Sequence, residues 1–135
     1  CVHADCRVKD MRLDGTQMVI LPGGLGGVQS ILGSETAMNF IRLAYEKTCF
    51  VAAICAAPTI LAKLHITDGR KATCYPGLED QMGAAQMIPC GAVQDGNVIT
   101  GRAAGSADEF GLACLRALKG EETARQVASD IVYRA

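Results

Sequence analysis

The sequence predicts an α/β fold with a mostly parallel sheet covered by helices on both faces, and three observations lead there. Short, wholly apolar runs such as MVIL at Met18–Leu21 and FVAAI at Phe50–Ile54 suit strands buried on both faces. Other segments carry apolar residues at helical spacing. The two kinds alternate along 135 residues with no linker, repeat or low-complexity stretch. That is the pattern of one domain, spanning 1–135, with helices layered on a sheet.

The first strand ends in Pro22-Gly23-Gly24, and 22–27 is read as a glycine-rich loop. Ser34 can cap a helix over 35–47, with a stripe at Ala37, Phe40, Ile41, Ala44 and Tyr45. The second strand runs directly into Cys55. Ala56-Ala57-Pro58 then opens a helix to about Leu64, since proline costs nothing in a first turn. Residues 71–74 read as a third strand. Runs at 91–94 and 97–100 flank Asp95-Gly96, a strong hairpin signal. Phe110, Ala113, Cys114, Ala117 and Leu118 form another helical stripe, stopped by Gly120. Glu121 and Glu122 start a last helix, where acids suit the positive end of the dipole. Its stripe is Ala124, Val127, Ala128, Ile131 and Val132.

Composition removes several function classes. Formal net charge is −1 and no basic run occurs, which argues against nucleic acid as a main partner. No apolar stretch nears the roughly 20 residues of a membrane span. Seven cysteines stand at 1, 6, 49, 55, 74, 90 and 114, with no C-x-x-C pair and no Cys/His set at zinc spacing. No metal or cofactor is expected. A reduced, cytoplasmic protein fits, with most cysteines as small core residues. The loop 22–27 follows a strand but lacks G-x-G-x-x-G order, so dinucleotide binding is not expected.

Ligands of such sheets bind beyond the carboxyl ends of the strands, where the 22–27 and 55–58 loops stand. Cys55 lies where a buried strand turns sharply into a helix, the geometry of a nucleophile elbow. The helix amino end offers unpaired N–H groups and a partial positive charge that favour a thiolate. The same amides can hold an oxyanion: Ala56 N–H is adjacent, and Gly24 can supply a second from the neighbouring loop. A buried, inert core cysteine is the plain alternative, because elbows hold such residues too. Cys74 approaches the same face, either as a resolving thiol for Cys55 or as a packed core residue.

Leu21-Pro22-Gly23-Gly24, Ala52-Ala53-Ile54-Cys55-Ala56-Ala57-Pro58 and Lys71-Ala72-Thr73-Cys74-Tyr75-Pro76 resemble the ThiJ/PfpI family in order and spacing. The stretch Thr100-Gly101-Arg102-Ala103-Ala104-Gly105 and the final helix fit it as well. The resemblance covers essentially the whole chain and points to the deglycase-like branch. It implies a flavodoxin-like, doubly wound sheet, Cys55 as the reactive residue, Gly24 and Ala56 as oxyanion-binding amides, and a homodimer. It places Gly23, Tyr75 and Cys74 near the site.

Two departures from that pattern matter. Tyr75 stands where some members carry a histidine, and neither His3 nor His65 obviously replaces it. The family fold also begins with a strand–helix–strand unit of about 30 residues or more, whose loop carries a glutamate bonded to the cysteine. Glu35, Glu79, Asp80, Asp108 and Glu109 read instead as solvated or capping residues. The sheet is therefore expected to be incomplete at its amino end. A companion amino-terminal segment is expected to stay bound, since a missing first strand leaves an open edge.

The leading expectation is a cysteine-dependent enzyme acting on small reactive aldehydes, as a glutathione-independent glyoxalase or a protein or nucleotide deglycase. The second is a redox-sensing stress protein or chaperone whose Cys55 is oxidised to sulfinic acid. A glutaminase is disfavoured: Ile54 and Ala56 replace the glycines such an elbow carries, and no histidine follows His65. The peptidase branch would want the histidine that Tyr75 replaces.

Overall fold

The computed structural model describes residues 1–135. Strand β1 (Met18–Leu21) lies parallel to β2 (Phe50–Ile54), with Leu21 opposite Ala53. Strand β6 (Val98–Gly101) lies parallel to the other side of β2, and β5 (Ala92–Asp95) closes that side antiparallel to β6. The order is β1-β2-β6-β5, a mostly parallel sheet. Helices α1 (Leu25–Leu32), α2 (Glu35–Glu46) and α3 (Pro58–Lys63) join in sequence between the parallel strands. Helices α4 (Ala107–Lys119) and α5 (Glu121–Asp130) follow β6.

Side-chain alternation divides the core between the two faces of the sheet. Val19, Leu21, Val51, Ala53 and Val98 pack with Ile41, Ala44, Ile60 and Leu61 on one face. Ala52 and Ile99 pack with Phe110, Ala113 and Cys114 on the other. Ser34 caps α2 as expected, its hydroxyl accepting from Ala37 N–H at 3.2 Å.

Four expectations need correction. The 22–27 segment is not all loop, because α1 starts at Leu25 and runs through Gly26 and Gly27. Two glycines hide a helix whose stability comes from burying Val28 rather than from propensity. The hairpin falls one residue later than expected, with Gly96 and Asn97 between the paired Asp95 and Val98. The register of β6 on β2, Val98 opposite Val51, sets that position. The third strand is shorter and separate: β3 (Lys71–Ala72) pairs with β4 (Gln86–Met87) in its own small parallel sheet. The cause is visible in its N–H groups. Lys71 N–H donates to Asp95 Oδ2 at 2.8 Å and Thr73 N–H to Thr100 Oγ1 at 2.9 Å. Side chains of the hairpin take the bonds that strand backbone would otherwise offer. Finally, the last helix stops at Asp130, leaving Ile131 and Val132 exposed; Val132 has φ +56.

The cysteines also divide differently from expectation. Only Cys74 and Cys114 are buried; Cys1 and Cys6 are exposed and the other three lie between. Arg70 ties the hairpin to α2, donating to Tyr45 Oη and to the Asp95 carbonyl, both at 3.0 Å. No helix is long and apolar enough to cross a membrane.

Candidate active site

Cys55 is the residue after β2 and holds φ +68. Positive φ is uncommon outside glycine and costs of order 1–3 kcal/mol. Thr48, His65 and Val132 share it, but each follows the end of a helix, the usual place for a left-handed residue. Cys55 has no such excuse. Its conformation is imposed from both sides: its N–H donates to the Gly101 carbonyl at 2.9 Å, and its carbonyl accepts from Tyr75 N–H at 2.8 Å. The elbow is thus pinned between the end of β6 and the loop after β3.

The turn lays the cysteine side chain over the first strand's loop. A Cβ added at Gly23 would stand 2.6 Å from Cys55 Cβ and 3.2 Å from its Sγ. Gly23 is therefore the floor on which the thiol rests. Gly24 caps α1 at φ +92, a conformation that needs glycine. The N–H groups of Gly24 and Ala56 donate to no other group of the protein. Both residues line the same cavity as Cys55, and unpaired amides in such a cavity are suited to an oxyanion. Helix α3 has only six residues, so its end charge is a lesser part of the arrangement than these amides.

A cavity of about 330 Å³ opens over the thiol. Gly24, Leu25, Cys55, Ala56, Tyr75, Pro76, Gly77 and Leu78 line it. Cys55, Gly24, Ala56 and Tyr75 are thus gathered in one place. Sequence reasoning missed Leu25 and Leu78, the first because α1 was hidden by its glycines. It also missed what Glu79 does. Its carboxylate accepts from Gly77 N–H at 2.8 Å and so holds the Tyr75–Leu78 loop. An acid two residues after a loop glycine is the signal that could have found it.

Cys74 belongs elsewhere. It lines a neighbouring cavity of about 200 Å³ together with Glu79 and Arg102. Burial, then the charges of Glu79 and Asp80, push its thiol up to about 11. A resolving role is poorly served by a thiol that stays protonated near neutrality. Neither histidine reaches the site: His3 is exposed, and His65 pairs with Asp68 at 3.0 Å on the surface. No three His, Cys, Asp or Glu side chains gather as metal ligands.

These thiols set an alkaline limit on stability. Cys74 and Cys114 both rise from 9.0 to about 11, chiefly through burial. Below pH 9 folded and unfolded chains both keep these protons, so neither thiol moves stability. Between pH 9 and about 11 the unfolded chain releases protons that the folded chain retains. Stability is expected to fall as pH rises through that window, by up to about 2–3 kcal/mol per thiol. Urea unfolding at stepped pH checks this; Cys74→Val with Cys114→Val should flatten the fall, and an unchanged slope would contradict it.

The model of the DJ-1/PfpI family matches residues 1–117. Protein dj-1beta of Drosophila melanogaster is 35% identical over 130 residues, which are 95% of this chain and 70% of that protein. The Parkinson disease protein 7 homolog of Danio rerio is 34% identical over 134 residues, covering 96% and 71% respectively. The chain thus spans about seven tenths of the length of these two relatives. A solved structure described as Toxoplasma gondii DJ-1, oxidized, superposes with a TM-score of 0.90 at 26% identity, over 100% of this chain and 74% of that one.

Proposed function

The chain belongs to the DJ-1/PfpI family, and from that premise we propose that it is a cysteine-dependent enzyme acting on small reactive aldehydes. The observation that carries the reading is the strained Cys55 in one cavity with Gly24 and Ala56, whose amides are unpaired. The Cys55 thiolate adds to the aldehyde carbon of methylglyoxal, and the former carbonyl oxygen becomes an oxyanion held by these N–H groups. Protonation gives a hemithioacetal. A base then moves a proton from the aldehyde carbon to the neighbouring ketone carbon, leaving a 2-hydroxy acid thioester. Water releases lactate and restores the thiol. Deglycation of early adducts on proteins or nucleotides uses the same thiol and the same amides.

The base is assigned outside the residues that line the Cys55 cavity. No carboxylate lines the Cys55 cavity. Our reading gives the proton transfer to a carboxylate on a companion segment that adds a strand to β1. Two features support this: β1 pairs only with β2, and Ile20 on it is 52% exposed. Open strand edges invite pairing. A homodimer is part of the same proposal.

The second reading is a redox-sensing stress protein in which Cys55 is oxidised to sulfinic acid, stabilised by the same amides. Its support is that the Toxoplasma gondii relative is described as oxidized and that Cys55 is only partly buried. One paired experiment separates the two. Methylglyoxal consumption with lactate formation supports the enzyme. Peroxide-driven addition of two oxygens at Cys55, without turnover of any aldehyde, supports the sensor.

A further inference from the structure

From the walls of the cavity we infer that the Cys55 site selects uncharged aldehydes bearing an apolar substituent, with Leu25 and Tyr75 as the residues that determine this specificity. The inference rests on the reading of Cys55 as the thiol that meets the aldehyde. The cavity of about 330 Å³ falls at the lower end of ordinary small-molecule pockets, roughly 300–1,000 Å³. It offers far more room than two-carbon glyoxal needs. None of its eight lining residues is charged, and the hydroxyl of Tyr75 is the only polar side-chain group besides the thiol. An anionic substrate tail would leave water without a partner. Leu25 is 68% exposed and Tyr75 48% exposed. Both present apolar surface to solvent at the lip of the cavity that holds the nucleophile. A substituent that covers them removes their surface and its own from water.

Exposure alone would be unremarkable, since single apolar side chains are common on surfaces. Placement separates these two from Val2, Val8 and Ile131, which are exposed but line none of the Cys55 cavity. Each also has its backbone fixed in place. Leu25 is the first residue of α1, fixed by the Gly24 turn. Tyr75 is held by its N–H bond to the Cys55 carbonyl, so its backbone keeps a set relation to the elbow. The main-chain bond survives substitution of the ring, which makes Tyr75→Ser a clean probe.

A homologous series of straight-chain 2-oxoaldehydes, from methylglyoxal to 2-oxohexanal, reads the inference. Reactivity of the aldehyde hardly changes along the series, so the slope reports the cavity. Each added methylene is expected to raise kcat/KM about 2–4-fold. In Leu25→Ser and in Tyr75→Ser that rise should shrink to below about 2-fold. A flat wild-type series, or a steep one that neither substitution changes, overturns the inference. Alkylation rates give a second readout that needs no turnover. N-alkylmaleimides of growing chain length, followed peptide by peptide, should react faster at Cys55 with length, while the exposed Cys1 and Cys6 show no such gain. No turnover with graded alkylation defeats the proposed enzyme and keeps this inference. Turnover with flat kinetics and flat alkylation does the reverse.

Discussion

Gly23→Ala is expected to lower stability by about 3 kcal/mol and to remove aldehyde turnover with it. The new methyl group would meet Cys55 Cβ at 2.6 Å and the Ile54 carbonyl oxygen at 3.0 Å. Neither is the free end of a flexible side chain. Relief therefore requires moving the loop away from β2, which displaces the floor under the thiol and the Gly24 amide together. Overpacking of this kind costs roughly 1–3 kcal/mol, and more where backbone must shift. The control lies three residues on. A Cβ at Gly26 meets nothing within 4 Å, and Gly26 sits in helix α1. Gly26→Ala should be neutral or stabilising by up to about 1 kcal/mol. Urea unfolding of both variants, with methylglyoxal consumption alongside, checks the contrast. Equal behaviour of the two would refute the account of Gly23.

Cys55→Ser is expected to lower methylglyoxal turnover by a factor on the order of 10³ or more, because an unactivated hydroxyl replaces the sulfur nucleophile. Stability should respond to a different property of the same position. At φ +68 any side chain is strained, and glycine alone is relieved. Cys55→Ala and Cys55→Gly both delete the sulfur, yet the glycine variant should be the more stable by about 1 kcal/mol. Inactivity joined to greater stability is what a strained functional residue gives. If Ala and Gly proved equally stable, the elbow would not be strained by its φ.

Much of the frame was legible in the sequence. Two apolar runs, the Ser34 cap and the Asp95-Gly96 signal carry local physics strong enough to survive folding, and they placed β1, β2, α2 and, to within one residue, the hairpin. The elbow at Cys55 was legible for the same reason: an apolar run that stops at a residue followed by Ala-Ala-Pro leaves few alternatives. What failed depended on distant partners. Nothing local to residues 71–74 says that Asp95 and Thr100 will take their N–H groups and keep β3 out of the main sheet. Gly26 and Gly27 argue against helix α1 locally, and Val28 overrules them through burial in the core. Gly23 read as a turn glycine, whereas the structure gives it a steric duty set by a side chain 32 positions away. Cys74 looked like a neighbour of Cys55 along the fold, but it opens on the adjoining cavity, deep enough to stay protonated. Tyr75 lines the Cys55 cavity, and the bond that holds it there is made by its backbone, which no choice of side chain advertises.

The claim at the centre is that aldehyde carbon becomes bonded to the Cys55 sulfur during turnover. Acid quenching of the protein while it consumes methylglyoxal, followed by peptide mass mapping, tests it most directly. A 2-hydroxyacyl mass is expected on the peptide containing Cys55, absent from Cys55→Ser. Turnover that proceeds at the same rate in Cys55→Ser, with no acyl mass at Cys55 in the wild type, would contradict it.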